Sequence, residues 1–151
     1  MYSPTGKELK RTESGRMNIV ALGSIGSDIA IEISKHGPYE LFLLDTKKHK
    51  RRTYVLEAHQ SPEQFESEYP DLGKFFTKLK GDAYIILSGA EYIASAALKL
   101  IQDLRRRGKV TVLYIKPDVD VLSETGRAHQ RMVMGVLQQY ARSNLVERMY
   151  L

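Results

Sequence analysis

The chain has no cysteine in its 151 residues, which excludes disulfides, thiolate nucleophiles and cysteine-ligated metals. No apolar run comes near the ~20 residues that a bilayer span needs, so no membrane partner is expected. Residues 1–16, MYSPTGKELKRTESGR, lack the apolar core of a secretory signal and read as a flexible arm. The expected compartment is therefore cytoplasmic. There is no G-x-S-x-G elbow to carry a serine nucleophile. The histidines at 36, 49, 59 and 129 are scattered and show no metal spacing of the H-E-x-x-H kind, so no protein-bound transition metal is expected. Internal repeats and low-complexity tracts are also missing. What is left is one domain's length of ordinary globular sequence, assigned to residues 17–151.

Positive charge is in modest excess, at a net +5, and it is concentrated in two places. Lys47 to Arg52 reads KKHKRR and Arg105 to Lys109 reads RRRGK. Phosphate contacts to nucleic acid are one reading of such runs. Solvated surface is the other, and the absence of interleaved aromatics that would stack on bases favours it. The expectation is no specific nucleic acid, with an acidic protein partner at Lys47–Arg52 as the use left open.

The richest stretch runs from Met17 to Asp45: an apolar run over Ile19–Leu22, then Gly23 and Gly26, a helix-period segment over Asp28–Lys35, and a second apolar run, Leu41–Leu44, closing on Asp45. Strand, glycine turn, helix, strand is the plan of a nucleotide-binding βαβ unit. Backbone N–H groups at a helix N-terminus, backed by its dipole, attract phosphate. The pattern falls short of G-x-G-x-x-G because Ile25 holds the second glycine position. Gly23, Ser24, Gly26, Ser27 and Asp28 are the candidate phosphate turn; a tight turn with no ligand is the plain alternative. Asp45 lies 19 residues beyond Gly26, near the ~20 at which an acid takes a ribose hydroxyl. Its alternative is a loop carboxylate facing Lys47 and Lys48.

Further along, strands are expected over Thr53–Ala58, Ala83–Leu87, Val110–Ile115 and Val146–Leu151. Helices are expected over Ser61–Tyr69, Lys74–Leu79, Ala94–Arg107 and Thr125–Tyr140, the last with Met132, Val136 and Leu137 facing inward. Alternation of this kind gives an α/β fold, a doubly wound and mainly parallel Rossmann-like sheet with helices on both faces. Ligands of such sheets sit beyond the carboxyl ends of the strands. That gathers the loops Gly23–Asp28, Asp45–Lys48, Ser88–Ser95 and Lys116–Gly126.

The order of features from GDAYIILSG through ASAALKLIQDLRRRGKVTVLYIKP to SETGRAHQRMVMGVLQQYARSNLVERMYL resembles the tubulin/FtsZ superfamily. The resemblance implies a nucleotide domain for GTP or GDP, with Mg²⁺ beside the phosphates and head-to-tail assembly with further copies of itself into an oligomer or filament. It places Ser88, Gly89 and Ser95 in the phosphate loop and Glu124 at the ribose, where a first-turn glutamate favoured by the helix dipole is the alternative. The chain departs from the family at three points. The glycine- and threonine-rich phosphate loop is replaced by Ser88-Gly89-Ala90-Glu91-Tyr92-Ile93-Ala94-Ser95. Asp28 stands about where the family has an asparagine or glutamine. The acidic loop that activates water in the neighbouring subunit has no counterpart up to Leu151. The expectation is an assembly protein that does not hydrolyse nucleotide or does so weakly, with no catalytic residue assigned. Two rivals stand beside it: an NAD- or adenosine-nucleotide-sensing regulatory module, and a structural interaction protein that kept the fold and lost the ligand.

Overall fold

A computed structural model describes residues 17–143 and 148–150. The arm expected at 1–16, and residues 146, 147 and 151 of the expected last strand, lie outside the described residues. Among the described residues six strands form one sheet: β1 (Met17–Leu22), β2 (Tyr39–Asp45), β3 (Thr53–Val55), β4 (Ala83–Ser88), β5 (Val110–Ile115) and β6 (Arg148–Tyr150). Their order is β3-β2-β1-β4-β5-β6, and every pairing is parallel. This is the order of doubly wound Rossmann-like folds, and it reverses direction between β1 and β4. Among the described residues, four α-helices accompany the sheet: α1 (Ser24–Ser34), α2 (Pro62–Ser67), α3 (Ala97–Arg105) and α4 (Glu124–Arg142).

The strands are apolar along their whole length because both faces are covered. Alternate residues of β1 show this. Ile19 and Ala21 pack with Leu41, Leu43, Ile86 and Ala30 of α1, while Val20 and Leu22 join Phe42, Leu44, Ile85, Leu100 and Leu137 on the other side. Each fully buried Leu, Ile or Phe stabilises by about 1.5–3 kcal/mol, so this two-sided core carries the fold.

The β2–β3 connection, residues 46–52, is short for a parallel crossover. It suffices because β3 pairs only with Leu43–Asp45, so the chain falls back by two residues, about 7 Å. The KKHKRR run occupies this loop and is partly tied down. Arg52 pairs with Glu40 at 3.2 Å and stacks over Phe42, and Arg51 donates to Ser34 Oγ at 3.1 Å.

Several elements differ from expectation. Residues 73–78 form turns in place of a helix over Lys74–Leu79. Thr77 Oγ1 donates to the Gly73 and Lys74 carbonyls, local bonding that competes with the helical ladder. The helix expected over Ala94–Arg107 begins with a 3₁₀ segment, Tyr92–Ala96, before α3. The inner face of α4 is His129, Gln130, Val133 and Leu137; Met132 is 52% exposed, so the expected inward face is wrong at that position. The sequence pattern treated the helix as apolar-in throughout, whereas two polar residues occupy its inner N-terminal half. Among the described residues, no helix is long and apolar enough to cross a membrane.

Candidate functional site

Where the strand order reverses, a cleft of 420 Å³ opens at the carboxyl edge of the sheet. Asp45 and Thr46 from the end of β2, Ala90 to Ile93 after β4, and Leu122, Ser123 and Gly126 around the start of α4 line it, together with His59 and Phe65. Its charged carboxylates, Asp45 and Glu91, are both negative, and none of its lining residues is a lysine or arginine.

The glycine turn expected to hold phosphate follows β1. Gly23 follows Leu22 as the N-cap of α1 at φ 91, a left-handed conformation that favours glycine. Its own N–H donates to the Leu44 carbonyl at 2.7 Å, and the first amides of α1 then face Glu91, a residue of the cleft wall. Those amides are already engaged. Ser24 N donates to Glu91 Oε2 at 3.0 Å and Ile25 N donates to Glu91 Oε1 at 3.0 Å. One carboxylate thus takes the bidentate position that a phosphate takes at a helix N-terminus. Its negative charge also meets the positive end of the α1 dipole. The backbone of Glu91 is held by His129, whose Nε2 donates to the Glu91 carbonyl at 2.8 Å, with Tyr92 packed edge-on against the imidazole at 5.2 Å. A carbonyl only accepts, so this contact fixes the proton on Nε2.

Asp45 forms the other pole. It is 2% exposed, and its carboxylate accepts from Thr46 N at 2.7 Å, Ser24 Oγ at 2.9 Å and His49 Nε2 at 2.7 Å. A carboxylate has about four lone-pair sites, so protein donors fill most of them. Its side-chain partners among the described residues are Ser24 and His49 in place of Lys47 and Lys48. Ser24 joins the two poles: its amide serves Glu91 and its hydroxyl serves Asp45.

The remaining sequence candidates are dispersed. Gly26 is buried under β4, where a Cβ would run into the Ile86 carbonyl; its role is helix–strand packing. Ser27 is fully buried beside it, with no hydrogen-bond partner for its hydroxyl among the described residues. Asp28 is exposed on the outside of α1. Ser88 ends β4 buried, its Oγ accepting from Ala90 N at 3.2 Å. Gly89 is buried where a Cβ would strike the Tyr114 hydroxyl. Ser95 is buried in the 3₁₀ segment and lines a different, smaller cavity between α3 and α4. Glu124 is exposed in the first turn of α4 and is not among the residues lining the cleft.

Sequence reasoning places Glu91 in the loop that departs from the glycine- and threonine-rich pattern, but does not reveal it as the occupant of the α1 amides. That contact joins residues 67 apart and leaves no local signal. It also expected no metal cluster, yet Glu57, His59 and Glu68 converge beside the cleft with candidate ligand atoms all within 4.8 Å of one another. No known family model and no curated protein matches the chain.

Proposed function

We propose that this domain is a non-hydrolysing assembly module of the tubulin/FtsZ kind, whose phosphate seat is closed by its own Glu91. The observation that carries the reading is the pair of hydrogen bonds from Ser24 N and Ile25 N to the Glu91 carboxylate. The Gly23 turn and Asp45 lie where a nucleotide domain of this order would hold phosphate and ribose, while the charge between them disfavours a triphosphate. Like charges repel, and no cationic side chain lines the cleft to offset that repulsion. Phosphoryl transfer depends on positioning and charge stabilisation, and both are weakened here. GTP or GDP, with or without Mg²⁺, enters only when Glu91 leaves the α1 amides. Exposed Ile25 in the first turn of α1 and Val119 and Val121 in a 3₁₀ turn after β5 follow strands at the carboxyl edge of the sheet and supply apolar surface for a second copy of the chain.

The NAD-sensing alternative draws on one specific feature, the buried acid ending β2, which is the ribose position of dinucleotide folds. Phosphate release from GTP, followed over a series of protein concentrations, tests the main reading. It should stay at background throughout. Turnover that rises with concentration would mean that an active site assembles between copies, and the reading would fall.

A further inference from the structure

Glu57 and His59 lie two residues apart in the segment that follows β3, and their candidate ligand atoms converge within 4.8 Å. Glu68 caps the C-terminus of α2 and faces them. The His59 side chain is 8% exposed, with its ring fixed edge-on against Phe65 at 4.9 Å between centroids. Its Nε2 points at Glu68 Oε2 from 3.4 Å. That is longer than the 2.7–3.2 Å of an N–H···O hydrogen bond. A buried imidazole nitrogen is thus aimed at a carboxylate from ion-pair distance. The same separation fits the edge of a coordination tetrahedron, roughly 3.3–3.5 Å when metal–ligand bonds are about 2.0–2.1 Å.

We propose that Glu57, His59 and Glu68 form a binding site for a divalent cation of the zinc class, with a coordination position left for water. One imidazole nitrogen and two carboxylate oxygens make a donor set suited to Zn²⁺ and its neighbours, and the lack of thiolate argues against a soft ion such as Cu(I). Two carboxylates and a neutral imidazole present two negative charges, which a divalent ion neutralises. The site opens on a cavity of 270 Å³ lined by all three residues, and His59 also borders the 420 Å³ cleft. An ion here is reachable from solvent and from the cleft. The inference is independent of what the α1 amides hold.

The test is titration of the full metal-free chain at neutral pH with Zn²⁺ by calorimetry and with Co²⁺ by visible absorption. One equivalent should bind, with Co²⁺ bands that Zn²⁺ bleaches. Glu57→Gln and Glu68→Gln change exposed side chains, so both should fold, as circular dichroism can verify. Each should weaken binding about tenfold or more, in line with the 10–100-fold losses seen even for outer partners of metal ligands. Glu63→Gln, on the exposed side of α2, should leave it unchanged. Absence of saturable binding, or equal binding in the wild type and in both Glu57→Gln and Glu68→Gln, would overturn the assignment.

Discussion

On the proposed reading two anions compete for one helix end at Glu91, and the tethered one has the advantage of attachment. A hydrogen bond to a charged group contributes about 1.5–3 kcal/mol. A net preference of about 2 kcal/mol for the closed seat would reduce apparent nucleotide affinity roughly 30-fold. Tyr69 presents a second residue-scale question. Burial, and next the charge of Asp103, push its phenol well above the usual tyrosine range. Its hydroxyl has no hydrogen-bond partner among the described residues. The folded state therefore keeps a proton that the unfolded chain releases near pH ~10. The resulting stability is full below that pH and is lost as pH rises above it. Tyr69→Phe should be neutral at pH 7, or stabilising by up to about 1 kcal/mol, because an unpaired buried hydroxyl is removed. It should also flatten the alkaline decline. Tyr114, raised by burial as well, would account for the slope that remains. Urea midpoints at pH 7 and above pH 10 measure both effects, and a large loss at pH 7 would contradict the unpaired hydroxyl.

Among the elements, α1 and α4 show what pattern can and cannot reveal. The strand–turn–helix of β1 and α1 was legible because glycine, apolar run and helical period coincide in a short window. Met132 misled because it satisfies helical spacing as well as Val133 does, and the rotation of α4 is decided by tertiary contacts, the burial of Val133 and Leu137 and the bond from His129 to Glu91 among them. Gly26 was legible as a glycine that matters, but for a different reason. A ligand approaching the turn and a strand passing beneath it both require the missing Cβ, and the structure shows the strand. Gly26→Val should therefore destabilise the whole domain by about 3 kcal/mol or more, through overpacking against the β4 backbone. A loss of ligand binding from an intact fold is not expected. A urea transition near the wild-type midpoint would contradict that reading.

For the whole molecule, alternation of strands and helices was enough to identify the doubly wound sheet, since covered parallel strands must be apolar on both faces. The state of the cleft was not legible, because it depends on pairs such as Ser24 with Glu91 and Ser24 with Asp45, which are brought together only by the fold. The scattered histidines hid a converging trio for the same reason: Glu68 reaches Glu57 and His59 from another element. The central claim is that Glu91 closes the phosphate seat of a nucleotide-type cleft. Its most direct test is the dissociation constant for GDP measured by calorimetry on the wild-type chain and on Glu91→Ala, with GTP, ATP and NAD as parallel ligands. The variant loses about 1 kcal/mol of stability through its uncapped amides but remains folded. It should bind GDP tens of times more tightly than the wild type, roughly the 30-fold that a 2 kcal/mol gate implies. Equal behaviour of the two proteins, including no binding by either, would contradict the account.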